Sequence, residues 1–228
     1  MGWRIFALSI LLLVILNVLF GCSPPPEGSP EWYFDNADEL ASKGQYEEAI
    51  EEYTRVIEAN ATTTTRVKAY INRAAAYMNL ELYDEAIADY TEVTIVDPER
   101  ALAYTGRAAG HIAKGEYELA IDDSTMAIEM AAAGNARDSD IDSIVAEAYV
   151  QRAYAYYKTG EPNLAIIDCN AAINYDPTQA YAYFNRGLAY KELGMKTEAI
   201  SDFEKTITLT DNQLLRDTAT REIDELSE

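Results

Sequence analysis

The chain has 228 residues, 49% of them hydrophobic, and 17 tyrosines, which is apolar material enough for one sizeable domain. Asp and Glu number 39 against 18 Lys and Arg, a net charge of −21. Such a surface repels phosphate backbones and anionic headgroups, which excludes nucleic acid as a partner and membrane attachment through a basic face.

Met1-Gly2-Trp3-Arg4 opens the chain, followed by a nearly continuous apolar run from Ile5 to Phe20 that includes Asn17. A short positive start, an apolar middle and a small residue are the parts of a secretory signal. The run is shorter than the roughly 20 residues that span a bilayer comfortably. Leu19-Phe20-Gly21-Cys22 resembles the lipobox of bacterial lipoproteins, with Phe20 bulkier than the usual residue there. That resemblance implies a signal peptide at 1–21 and an acylated Cys22 as the first mature residue; an uncleaved signal anchor is the alternative. Residues 22–30 then form a proline-rich linker, a semi-rigid spacer between lipid and folded part. With Cys22 acylated, Cys169 has no disulfide partner.

From Pro30 onward the apolar residues follow helical spacing, and one pattern recurs. Val67 to Ala101 is 34 residues, as is Ala146 to Ala180. The fourth position of each unit is Tyr33, Tyr70, Tyr104, Tyr149 and Tyr183. The eighth is always small (Ala37, Ala74, Ala108, Ala153, Gly187), and the twentieth is always alanine (Ala49, Ala86, Ala120, Ala165, Ala199). Small residues at both places let two helices cross closely. Asp97-Pro98 and Asp176-Pro177 end second helices, because proline forbids continuation. Period and pattern resemble the tetratricopeptide repeat (TPR), two antiparallel helices per unit. The resemblance implies an all-α, right-handed α-solenoid of five helix-turn-helix units over 31–211, with units near 30–66, 67–100, 101–145, 146–179 and 180–211. A capping helix at 212–228, with Leu215, Ala219, Ile223 and Leu226 on one face, covers the last unit.

Three departures stand out. Arginine occupies the seventh position in four units, each with an acid sixteen residues on: Arg73 with Asp89, Arg107 with Asp123, Arg152 with Asp168, Arg186 with Asp202. Four in register read as structural ion pairs between facing helices, rather than as a ligand clamp. Glu81 replaces a turn glycine. The first and third units are longer, at 37 and 45 residues, through Ala61-Thr62-Thr63-Thr64-Thr65 and the acidic stretch Asn135–Asp140. The second insertion (133–145) is either a tolerated surface loop or a partner contact, and Ser139 or Asp140 is placed to cap the following helix.

Catalytic constellations are few. His111, the lone histidine, sits where other units carry Tyr77, Tyr156 and Tyr190, and reads as packing. No cysteine–histidine cluster has metal spacing and no glycine-rich phosphate loop appears, so neither metal nor cofactor is expected. Cys169 reads as a small buried hydrophobe. Positions 5, 9 and 12 of each first helix share one side, which in TPR proteins lines the concave groove. Here they supply Phe34, Ile71, Met78, Ile112, Val150, Tyr154, Tyr157, Phe184 and Leu188. These are candidates for holding an extended segment or amphipathic helix, ordinary inter-helix packing being the alternative. The family's carboxylate clamp is matched only in part by Lys68 and Asn72, and not by Phe34, Thr105 or Ala109. The expected function is a non-enzymatic protein- or peptide-binding adaptor, lipid-anchored to the bacterial cell envelope on its periplasmic or surface side. An envelope assembly factor, of the outer-membrane insertion or pilus type, is the alternative within binding; a hydrolase is the remote one.

Overall fold

A computed structural model describes residues 24–227. The expected signal peptide and the expected acylation of Cys22 fall outside these residues. Among them the chain is all-helical: α1 (Pro30–Ser42), α2 (Tyr46–Glu58), α3 (Thr63–Asn79), α4 (Tyr83–Val96), α5 (Ala101–Lys114), α6 (Tyr117–Ala132), α7 (Ile141–Lys158), α8 (Pro162–Tyr175), α9 (Ala180–Glu192), α10 (Lys196–Leu209) and α11 (Gln213–Ser227). None of these helices is long and apolar enough to cross a membrane. The chain divides into two compact units, one ending at Ala69 and the other Tyr70–Glu228.

In the first unit α1 starts at a built cap. The Ser29 hydroxyl accepts from the Trp32 amide at 3.2 Å, and Pro30 occupies the first turn, where an amide hydrogen would go unused. Helices α1 and α2 pair across Ala37 and Ala49, both fully buried, with Tyr53, Val56 and Ala69 completing the core. Phe34 packs edge-on against Tyr53 inside this cluster. The threonine run does not form a separate turn. Thr62 Oγ1 accepts from the Thr65 amide at 3.1 Å, so Thr63–Thr65 are already the first turn of α3.

In the second unit α5 packs on α6, α7 on α8 and α9 on α10, and each pair packs on the next. The paired alanines explain this. Ala108 with Ala120 and Ala153 with Ala165 are completely buried, so the helices meet at backbone distance. Gly187 fills the same role, since a Cβ there would lie 2.8 Å from the Phe203 ring. Gly106 is likewise overlain by Tyr90, 2.3 Å from where a Cβ would stand. Gly115 closes α5 in the left-handed conformation (φ 77°), which costs glycine nothing. Glu81 adopts the same conformation (φ 59°) with a side chain to accommodate.

The acidic insertion folds back onto its own unit. Arg137 pairs with Glu99 at 2.6 Å, and Asp138, nearly inaccessible, faces Arg100 Nη1 at 3.5 Å and the Leu102 amide at 3.4 Å. Asp140 stands at the start of α7 but makes no capping bond, contrary to the expectation for Ser139 or Asp140. Asp138 instead serves the start of α5, where Arg100 provides no side-chain cap. Helix α11 closes the unit: Leu215 and Ala219 are buried, Ile223 and Leu226 pack beside Phe203, and the Asn212 carboxamide caps its start at 3.1 Å. Arg216 donates to the Ile207 and Thr210 carbonyls left open at the end of α10.

Candidate functional site

The first helices α5, α7 and α9 present one side of the second unit. Tyr154 on α7 meets Tyr117 edge to face, centroids 6.2 Å apart, and the Lys158 ammonium lies 5.9 Å from the Tyr117 ring centre. One turn further, Tyr157 and Leu188 come together with Lys158, Lys191, Glu192 and Glu222 around an open hollow of about 560 Å³. Lys191 is fixed there by Glu222 at 2.6 Å and Glu225 at 2.7 Å, bonds that raise its pKa. Toward the start of the same helices, Glu147 accepts from Gln151 Nε2 at 3.2 Å and Gln179 Nε2 at 3.3 Å. Burial pushes its carboxyl above the ordinary value, against the opposing effect of the Gln151 bond.

The proposed groove residues divide. Tyr154, Tyr157 and Leu188 keep partly open faces, the last two in the hollow. Ile71 and Met78 are half-buried, and Ile112 is half-buried against Ala108, Ala120 and Ala155. Val150 is a correction. It is 5% exposed, packed with Ala172 and Ala182, and cannot reach a ligand. Phe184 spends one side on Phe203, at 5.6 Å between centroids, and Phe34 belongs to the core of the first unit. Position 5 points partly between repeats rather than wholly outward, which periodicity alone does not distinguish from position 9.

The four arginine–aspartate pairs lie apart from this side. Each is bidentate: Arg73 to Asp89 at 2.7 and 2.7 Å, Arg107 to Asp123 at 2.8 and 2.6 Å, Arg152 to Asp168 at 2.7 and 2.9 Å, Arg186 to Asp202 at 2.7 and 2.8 Å. The aspartates are 4–6% exposed. Hydrogen bonds donated to Asp123 and Asp202 hold Arg107 and Arg186 protonated, against burial. Two further partnerships escaped the sequence. Every arginine lies over the tyrosine three residues before it, 5.4–5.6 Å from the ring centre, and three also lie over the tyrosine four residues after. The third guanidinium nitrogen then reaches back to the preceding unit: Arg107 to Thr91 and Thr94, Arg152 to Thr125, Arg186 to Asn170. Thr91, Thr125 and Asn170 share position 25, a hydroxyl or amide in the second, third and fourth units, and that recurrence was the available signal.

His111 takes the tyrosine's place over Arg107's pair, with Nδ1 2.7 Å from Glu116 and Nε2 3.8 Å from Asp123. Cys169 is fully buried and its thiol is pushed far up by burial, so no thiolate nucleophile is available there. Among the described residues no group of three or more histidine, cysteine or acidic side chains is placed to hold a metal ion.

Comparison with known proteins agrees with this architecture. Tetratricopeptide repeat models match residues 33–63, 67–100 and 180–213, and a TPR repeat model matches 153–194. The Hsp70-Hsp90 organizing protein of Triticum aestivum is 28% identical over 193 residues, covering 73% of this chain and 33% of the wheat protein. Serine/threonine-protein phosphatase 5 of Rattus norvegicus is 32% identical over 111 residues, 45% of this chain and 22% of the phosphatase. The chain thus spans a third or less of these relatives. The crystal structure of MamA superposes with a TM-score of 0.61 at 26% identity, over 75% of this chain and 92% of MamA. Tetratricopeptide repeats are therefore present in this chain, and its fold is the α-solenoid built from them.

Proposed function

We propose that the chain is a non-enzymatic adaptor that holds a protein segment along the first helices of its second unit. One observation carries this reading: Tyr154, Tyr157 and Leu188 keep partly open faces on adjacent first helices, the last two lining a hollow of about 560 Å³. Aromatic rings on rigid helices offer contact area at low entropic cost. The wheat relative is by name an organiser of two chaperones, which favours protein partners in general. Its particular partners are not carried over, because Thr105 and Ala109 stand where the carboxylate clamp needs lysine and asparagine. The catalytic domain of a phosphatase has no counterpart in the reading, since the alignment takes in only 22% of that enzyme.

The adaptor is tethered to the bacterial cell envelope through an acylated Cys22, which lies outside the described residues; the lipobox-like Leu19-Phe20-Gly21-Cys22 supports this. Two or more acyl chains hold a protein stably where one does not. Tyr154→Ala combined with Tyr157→Ala tests the groove: partner capture from crosslinked membranes is lost while helicity by circular dichroism is kept. Capture at wild-type level would defeat the assignment. Labelled palmitate incorporation that disappears in Cys22→Ala tests the tether, and label retained there rejects it.

A further inference from the structure

We propose that Glu147 forms a subsite for a lysine or arginine side chain of the segment held by the second unit. The inference rests on the groove reading above and adds the charge of its ligand. Glu147 stands at the second position of its repeat, as Leu102 and Tyr181 do in the units before and after. Helix α7 packs on α5 and on α9, so equivalent positions on these helices run in a row. Leu102 and Tyr181 are 37% and 47% exposed, so both side chains are open to a ligand.

Between them sits a carboxylate that burial strips of much of its water. Its two oxygens accept from Gln151 and Gln179, which give hydrogen bonds but no charge. Among the described residues no lysine or arginine pairs with it, although every buried aspartate of the repeats has its own arginine. Gln151 is 8% exposed, and its carbonyl oxygen has no donor among the described residues. The site therefore holds acceptors in excess and lacks a cation. Buried carboxylates of this kind are costly until paired. A lysine or arginine supplies the missing charge, lays its methylene stem on Leu102, and meets the electron-rich face of Tyr181. The net charge of −21 steers basic segments toward the same surface. An acidic segment would meet repulsion at Glu147 and is the disfavoured class.

The test is selection of a displayed library of random 15-residue segments (about that length spans three repeats in extended form) on the full chain and on Glu147→Gln. Wild-type protein is expected to enrich spaced apolar residues with lysine or arginine at one fixed position. Glu147→Gln is expected to keep the apolar pattern and lose the basic residue. Replacing that lysine by norleucine in a selected peptide should weaken binding to the unaltered protein about tenfold, which needs no change to the fold. An apolar motif without a basic position on wild type, or the same basic position on Glu147→Gln, overturns the subsite and leaves the groove standing. No enrichment on either protein overturns both.

Discussion

Arg152 and Asp168 meet through two parallel hydrogen bonds, of 2.7 and 2.9 Å, with the guanidinium lying over Tyr149 and Tyr156 and its remaining nitrogen on Thr125 at 2.9 Å. One side chain thus joins the two helices of its own repeat to the second helix of the repeat before. Arginine suits this place because its planar fork satisfies carboxylate, hydroxyl and aromatic faces together.

Asp168→Ala leaves Arg152 part-buried without its carboxylate. The expected loss is about 3–5 kcal/mol, read by urea denaturation, with segment binding preserved below the unfolding transition. Replacing both residues, Arg152→Met with Asp168→Leu, should restore most of that stability, because the desolvation of both charges disappears with them. A double variant no more stable than Asp168→Ala would show that the pair's worth lies elsewhere.

Glu81 holds a left-handed conformation in the α3–α4 turn at φ 59°. Glu81→Gly removes the side-chain penalty and should stabilise by about 1 kcal/mol, raising Tm by about 2–4 °C. Glycine's larger loss of freedom on folding works against this, and an unchanged or lower Tm would show that it prevails.

Asp138 ties the insertion to Arg100 and to the first turn of α5. Asp138→Ala should cost about 1 kcal/mol and open residues 133–140 to limited proteolysis. Cleavage at the wild-type rate would mean that Arg137 and Glu99 alone hold the loop.

Glu147 gives the pH dependence. Its folded pKa is raised, so the protonated form is favoured in the folded chain. The stability gained from that proton is complete below the unfolded value and is lost as pH rises through the folded value. Glu147→Gln mimics the protonated carboxyl. It should be more stable than wild type at pH 7, by about 1–4 °C in Tm, with the difference closing as pH falls toward about 4.5. A difference independent of pH would remove desolvation as its cause.

Much of this arrangement was legible in the chain. The invariant alanines gave the helix pairs because close crossing tolerates nothing larger, and the arginine–aspartate spacing gave the ion pairs because it recurs with the repeat. What the pattern hid were contacts that skip along the chain. Tyr90 needs Gly106 beneath it, a fit of volumes that neither residue announces. Thr125 bonds Arg152 across 27 residues, and Asp138 reaches Leu102 across 36. Val150 was misplaced because helical periodicity gives a direction but not the position of the neighbouring helix.

The central claim is that the side of the second unit carrying Tyr154, Tyr157 and Leu188 receives the partner. Benzoylphenylalanine placed in turn at Tyr157 and at Ile167, which is 61% exposed on the second helix of the same repeat, tests it by photocrosslinking in cells. A discrete adduct from position 157 and none from 167 is the expected result. An adduct from 167 with nothing at 157 would contradict the account.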